Sequence, residues 1–137
     1  MEKGKAETRS LQEVCEQAKA NGQLAEAQLT ELKAVFGQRF GNAWEAVEDS
    51  RVKRYIFKPS DRVVWIVVGR KRDYLILPAA GYCSCDDFYF SVMEGKAFLC
   101  YHLISQKIAE SLGRFDQVEA DDELYDVFMR EWKEVTS

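Results

Sequence analysis

His102 is the single histidine of the chain, and it stands two residues after Cys100. Fourteen residues separate Cys100 from the preceding Cys83-Ser84-Cys85, so the four side chains read C-x-C-x14-C-x-H. Three thiolates and one imidazole are a complete tetrahedral set for Zn²⁺. Two cysteines spaced by one residue on an extended or turning backbone direct both sulfurs to one side. Cys100 and His102 fall at the front of a helical pattern, where they are presented together. Any fold of this chain must therefore bring residues 83–85 against residues 100–102. A closed four-ligand site has no position left for water, so the expected cofactor is one structural Zn²⁺ on Cys83, Cys85, Cys100 and His102, with no catalytic residue.

Three other readings compete with zinc. A disulfide between Cys83 and Cys85 closes a strained small ring, and a reducing compartment opposes it. A Cys-His nucleophilic dyad needs a base oriented by a third group, and none can be singled out. Cysteines also serve as small buried apolar groups, but that role does not gather three of four around one histidine. The reducing compartment is inferred from the polar start, Met1 to Glu7, which has no apolar signal-peptide core. The longest strongly apolar runs, Val63 to Val68 and Tyr74 to Ala80, are far short of the roughly 20 residues of a membrane span. An intracellular protein without a membrane contact is expected.

With 137 residues, 47% of them apolar, the chain is long enough for one domain with its own core and too short for two. Leu11, Val14, Cys15 and Ala18 form one helical stripe, closed by Asn21-Gly22. A second helix is expected from about Leu24 to Phe36, and a short third one through Phe40, Ala43, Trp44 and Val47. The period then changes. Residues 51–58 alternate, Val63 to Val68 is β-branched and aromatic, and Tyr74 to Leu77 follows a second turn, which predicts a three-stranded antiparallel meander. Helical spacing returns from about Phe98 to Leu112, and a last helix opens at Asp121-Asp122-Glu123 with a stripe of Leu124, Val127, Phe128, Trp132 and Val135. The fold class is α+β, in one compact domain: a helical segment 1–50, a meander, knuckle and helix over 51–113, and a C-terminal helix in 114–137.

The ligand set, the meander before it and the helix after it resemble the SWIM zinc finger. The similarity is carried by Tyr82-Cys83-Ser84-Cys85, by Phe88-Tyr89-Phe90-Ser91-Val92 and by Leu99-Cys100-Tyr101-His102-Leu103. It is strongest over residues 80–112 and extends more weakly back through Leu32 to Phe57. The chain is most similar to the small single-domain SWIM proteins of Shu-type recombination complexes and their archaeal relatives. That resemblance implies a non-enzymatic accessory subunit of homologous recombination and DNA repair. Such a subunit pairs with a RecA-like ATPase paralogue, assists the recombinase filament and meets single-stranded DNA through the complex. It implies the nucleus if the source is eukaryotic and the cytoplasm or nucleoid if it is archaeal, with the archaeal setting favoured. Two positions depart from the family's pattern: Tyr101 stands where a basic residue is usual, and Ser105 where a small Ala is usual.

Charge sets up the alternative function. The net charge is −4, which disfavours sequence-blind binding to phosphate. Residues 51–72 nevertheless carry Arg51, Lys53, Arg54, Lys58, Arg62, Arg70, Lys71 and Arg72 against Asp61 alone, and the C-terminal segment is acidic. An autonomous DNA-binding zinc module would use that basic face; solvated charge on strands and turns is the plainer reading. A Cys-dependent enzyme is a third class. Cys15 is expected to pack in the core. In Phe88-Tyr89-Phe90, alternate members are expected to cover the metal, with base stacking as the other use. Asp86-Asp87 is read as a turn or helix cap. The Phe128–Trp132 stripe fits a partner surface and the chain's own core equally well.

Overall fold

The computed structural model of the chain describes residues 2–69, 72–94 and 99–133. Phe98, Val135, Arg70 and Lys71 lie outside them. Three helices open the chain: α1 (Glu2–Asn21), α2 (Glu26–Phe36) and α3 (Gln38–Glu48). The stripe predicted for α1 is buried at Leu11, Val14 and Ala18. Gly37, at φ 60°, ends α2 by donating its N–H to the Lys33 carbonyl at 2.8 Å and at once starts α3. A side chain there would strain the left-handed backbone that lets two helices meet without a loop.

An ion pair ties these helices to the metal-bearing part of the chain. Arg39 on α3 donates to the Glu7 carboxylate of α1 at 2.6 Å and to the carbonyl of Leu99, next to Cys100, at 2.8 Å. Glu7 is buried, so its carboxylate depends on this partner. Arg39→Ala is expected to cost about 2 kcal/mol, the scale of a hydrogen bond to a charged group with its partner left buried. Denaturant unfolding of the variant measures it.

The sheet has five strands in the order β4-β3-β2-β1-β5. The meander is there as expected, in β1 (Val52–Lys58), β2 (Arg62–Val68) and β3 (Asp73–Leu77), with Val52 opposite Val67 and Trp65 opposite Ile76. Two strands extend it. Short β4 (Tyr82–Cys83) pairs antiparallel with β3, placing Cys83 opposite Ile76. At the other edge β5 (Asp116–Asp121) runs parallel to β1, Lys53 opposite Asp116 and Lys58 opposite Asp121. Residues 114–137 are therefore not helix alone. The acidic sequence Asp-Gln-Val-Glu-Ala-Asp has little strand propensity, and its pairing with β1 overrides that.

Both faces of the sheet are covered, which explains the unbroken apolar run of β2. Trp65 and Val67 face a core with Val52, Ile76, the N-terminal helices and α5 (Tyr101–Leu112), whose Leu103, Ile104 and Ile108 are buried. Val64 and Ile66 face the other way, with Phe57 and Leu75, onto Met129 and Trp132 of α6 (Tyr125–Lys133). The Trp132 ring lies 5.0 Å from Tyr55, and Tyr125 lies 5.1 Å from Phe57. The C-terminal stripe thus docks on the chain's own sheet, leaving Leu124 and Val127 on the outer side.

Candidate metal centre

The four predicted side chains come together at one end of the sheet. Cys83 closes β4, and Cys85 precedes α4 (Asp86–Met93). Cys100, in extended backbone at φ −71° and ψ 165°, is the N-cap of α5, and His102 is its second residue. Their ligand atoms all lie within 4.8 Å of one another, and all four residues are buried. Ligands bound to one tetrahedral zinc stand roughly 3.5–3.8 Å apart, as Zn–S near 2.3 Å and Zn–N near 2.1 Å require. The cluster is the right size for one ion.

Two further observations point to a cation. His102 is only 4% exposed, yet neither ring nitrogen has a hydrogen-bond partner among the described residues. A buried imidazole left so is costly unless it ligates. The three thiols also compete for one negative charge. Hydrogen bonds to Cys100 and Cys85 push the Cys83 thiol far up, while hydrogen bonds from Cys100 and Cys83 pull the Cys85 thiol well down. Without a cation this pocket stabilises a single thiolate; a divalent ion lets all three ionise. The chain thus carries one structural zinc site, with every ligand position filled by protein.

The surroundings fix the ligands. Ser84, between the two cysteines, is clamped to β3: its N–H donates to the Leu75 carbonyl, and its hydroxyl accepts from the Leu75 N–H, both at 3.0 Å. The Phe88 N–H points at the Cys85 sulfur at 3.4 Å. Tyr74 and Tyr101 lie against the imidazole, with ring centroids at 4.0 and 3.9 Å from it. Gly69 makes this approach feasible. A Cβ there would stand 2.6 Å from the Tyr74 ring and 2.7 Å from the Arg72 carbonyl. The two unusual positions are accommodated locally. Tyr101 is half-buried against His102, burial pushing its phenol up while the Arg51 guanidinium pulls it back. Ser105, fully buried, returns its hydroxyl to the His102 carbonyl at 2.8 Å, so it needs no other partner.

The residues between the ligand pairs behave differently from the expectation. Asp86 begins a helix, so Phe88 and Phe90 do not share a face as they would on a strand. Phe88 packs on the core and against Tyr82 at 5.6 Å, covering the site. Tyr89, Phe90 and Met93 are 59, 60 and 69% exposed. They line an apolar cleft of about 610 Å³ beside Cys83 and Cys85, with Tyr82, Phe88 and Asp86. Cys15 packs against the main core as expected, and burial pushes its thiol up.

The basic stretch meets the acidic tail within the chain. Parallel pairing of β1 with β5 sets Lys53 against Asp116 and Arg54 against the Gln117 side chain. Lys58 pairs with Asp61, the carboxylate raising the ammonium's pKa. Arg62 lies 3.9 Å from both the Asp122 carboxylate and the centre of the Tyr125 ring. Arg51 is 3.9 Å from Asp49.

No family model matches the chain, and no solved structure matches it. Among the described residues no helix is long and apolar enough to cross a membrane. Known proteins do match. A Dictyostelium discoideum protein called zinc finger SWIM domain-containing protein 7 homolog is 34% identical over 104 residues, 74% of this chain and 67% of its own length. The human zinc finger SWIM domain-containing protein 7 is 28% identical over 127 residues, 90% of each chain. An uncharacterized protein of Archaeoglobus fulgidus is 34% identical over 85 residues, 62% of this chain and 66% of its own. Similarity on this scale runs far beyond the knuckle, into the helices and strands that hold it, and the chain belongs to the zinc finger SWIM domain-containing protein 7 family.

Proposed function

We propose that the chain is a non-enzymatic accessory subunit of homologous recombination and DNA repair. It pairs with a RecA-like ATPase paralogue and through it assists the strand-exchange recombinase filament. The observation that carries this reading is the exposed apolar face of α4. Tyr89, Phe90 and Met93 rise beside a metal centre that has no open ligand position, which suits an interface and offers no site for chemistry. Of the aromatic residues around the metal centre, Phe90 is exposed, Tyr82 and Phe88 line the cleft, and Tyr101 is half-buried against His102. Copurification with the candidate paralogue, wild type against His102→Ala, tests the reading.

The alternative, autonomous DNA binding through residues 51–72, is opposed by the pairing of Lys53, Arg54, Lys58 and Arg62 with acceptors of the same chain. Phosphate would have to displace those partners, and the acidic C-terminal segment lies along them. The isolated chain is therefore expected to bind single-stranded DNA weakly at moderate salt. Fluorescence anisotropy measures this. Tight, salt-sensitive binding lost on Arg70→Ala with Lys71→Ala would favour the DNA-binding module.

A further inference from the structure

We propose that Arg72 is the counter-charge of the zinc centre and sets how tightly the chain retains its metal. Three thiolates, a neutral imidazole and Zn²⁺ sum to one negative charge, and the ligands enclosing it are buried. Asp86, exposed and next to Cys85 in the chain, adds to that negative charge. A buried charge needs a nearby opposite one, and in such surroundings its effect is larger than in water.

Arg72 is placed to supply it. Its guanidinium donates to the carbonyl of Ser84, the residue between Cys83 and Cys85. The same guanidinium lies 4.8 Å over the ring of Tyr74, which in turn lies 4.0 Å from His102. One cation thus reaches both halves of the ligand set, the C-x-C turn directly and the imidazole through an aromatic ring. Arg72 has no carboxylate partner among the described residues, whereas Arg51, on the Tyr101 side, is 3.9 Å from Asp49. Gly69 fixes the placement: its N–H donates to the Arg72 carbonyl at 2.9 Å, and the turn closes so tightly that no Cβ fits.

The test is zinc affinity of the full chain by competition with a chromophoric chelator. Arg72→Gln is expected to weaken zinc binding about 10- to 100-fold, the range found for groups that support metal ligands. Arg72→Lys, which keeps the charge and loses the planar fork, should stay close to wild type. Asp86→Asn added to Arg72→Gln should recover part of the loss, because it removes a negative charge beside Cys85. That rescue also separates a charge effect from a folding defect, which removing a surface carboxylate would not repair. Wild-type affinity in Arg72→Gln overturns the proposal. So does a loss in Arg72→Lys as large as in Arg72→Gln, or the absence of any rescue, since either would assign the effect to the hydrogen bond on Ser84 or to the fold and not to the charge.

Discussion

Stripping zinc is expected to open the knuckle end of the domain while the opposite face of the sheet stays packed. The two apolar clusters make the split. Cys83, Cys85 and Cys100 belong to the cluster shared by α1, α2, α3, α5 and one face of the sheet. Phe57, Val64, Ile66, Leu75, Met129 and Trp132 form the other, with no metal ligand among them. Without the cation the thiols return to sharing one charge, and His102 is left buried with unmet nitrogens. Structural zinc contributes roughly 10–16 kcal/mol of apparent binding energy in finger peptides, but this domain keeps other packing to fall back on. A loss of about 4 kcal/mol would already lower the melting temperature by about 10–15 °C at this chain length. Elemental analysis should give one zinc per chain. After chelation, hydrogen exchange should rise over residues 82–94 and the first turn of α5, and least over β1, β2 and α6. Cys83→Ser, Cys85→Ser, Cys100→Ser and His102→Ala should each reproduce that pattern. A metal-free chain with unchanged melting would remove the structural role of zinc.

The ligand set was legible because its signal is chemical. Three of four cysteines and the sole histidine define the site before any fold is known, and the folded chain brings their ligand atoms within 4.8 Å. The helices and the meander were legible because burial imposes a period on their sequences. Even the unbroken run Val63 to Val68 was informative: Val64 to Val67 are buried on both faces of the sheet, while Val63 at its start is exposed. What escaped has no such period. In β5 the strand state comes from pairing with β1, and its residues alone, two of six apolar, carry no alternation worth reading. In α4, Phe88-Tyr89-Phe90 favours a strand by propensity, and the C-x-C turn instead launches a helix.

The charge pattern was visible and its meaning was not. A basic stretch and an acidic tail in one chain fit two outside partners as well as each other. Register decides: once β5 lies parallel to β1, Lys53 meets Asp116 and Arg54 meets Gln117. Exposure of single residues was equally out of reach. Phe128 and Trp132 fit a partner surface and the core equally well by sequence, and Phe90 was expected over the metal; only packing puts the first two against Tyr55 and leaves the third in solvent.

The α4 face should therefore be where pairing fails without loss of metal. Phe90→Asp combined with Met93→Asp is expected to abolish copurification with the RecA-like paralogue while zinc content and melting stay at wild-type values. Both side chains are more than half exposed, so a carboxylate at either position stays in water in the free chain and changes stability by only about 0.5 kcal/mol. In the complex the same carboxylates would be buried against an apolar partner. Two anchors at about 2 kcal/mol each amount to roughly a 1000-fold weaker complex. His102→Ala should lose pairing too, but by a separate route. Cys85 and His102 hold the start of α4 and the start of α5 to one ion, so without the ion the cleft between Tyr82, Phe88 and Met93 loses its shape. The two variants divide the outcomes. If His102→Ala fails and the α4 variant pairs normally, the interface lies elsewhere on the metal-held surface. If folded His102→Ala pairs as well as wild type, the knuckle does not build the interface.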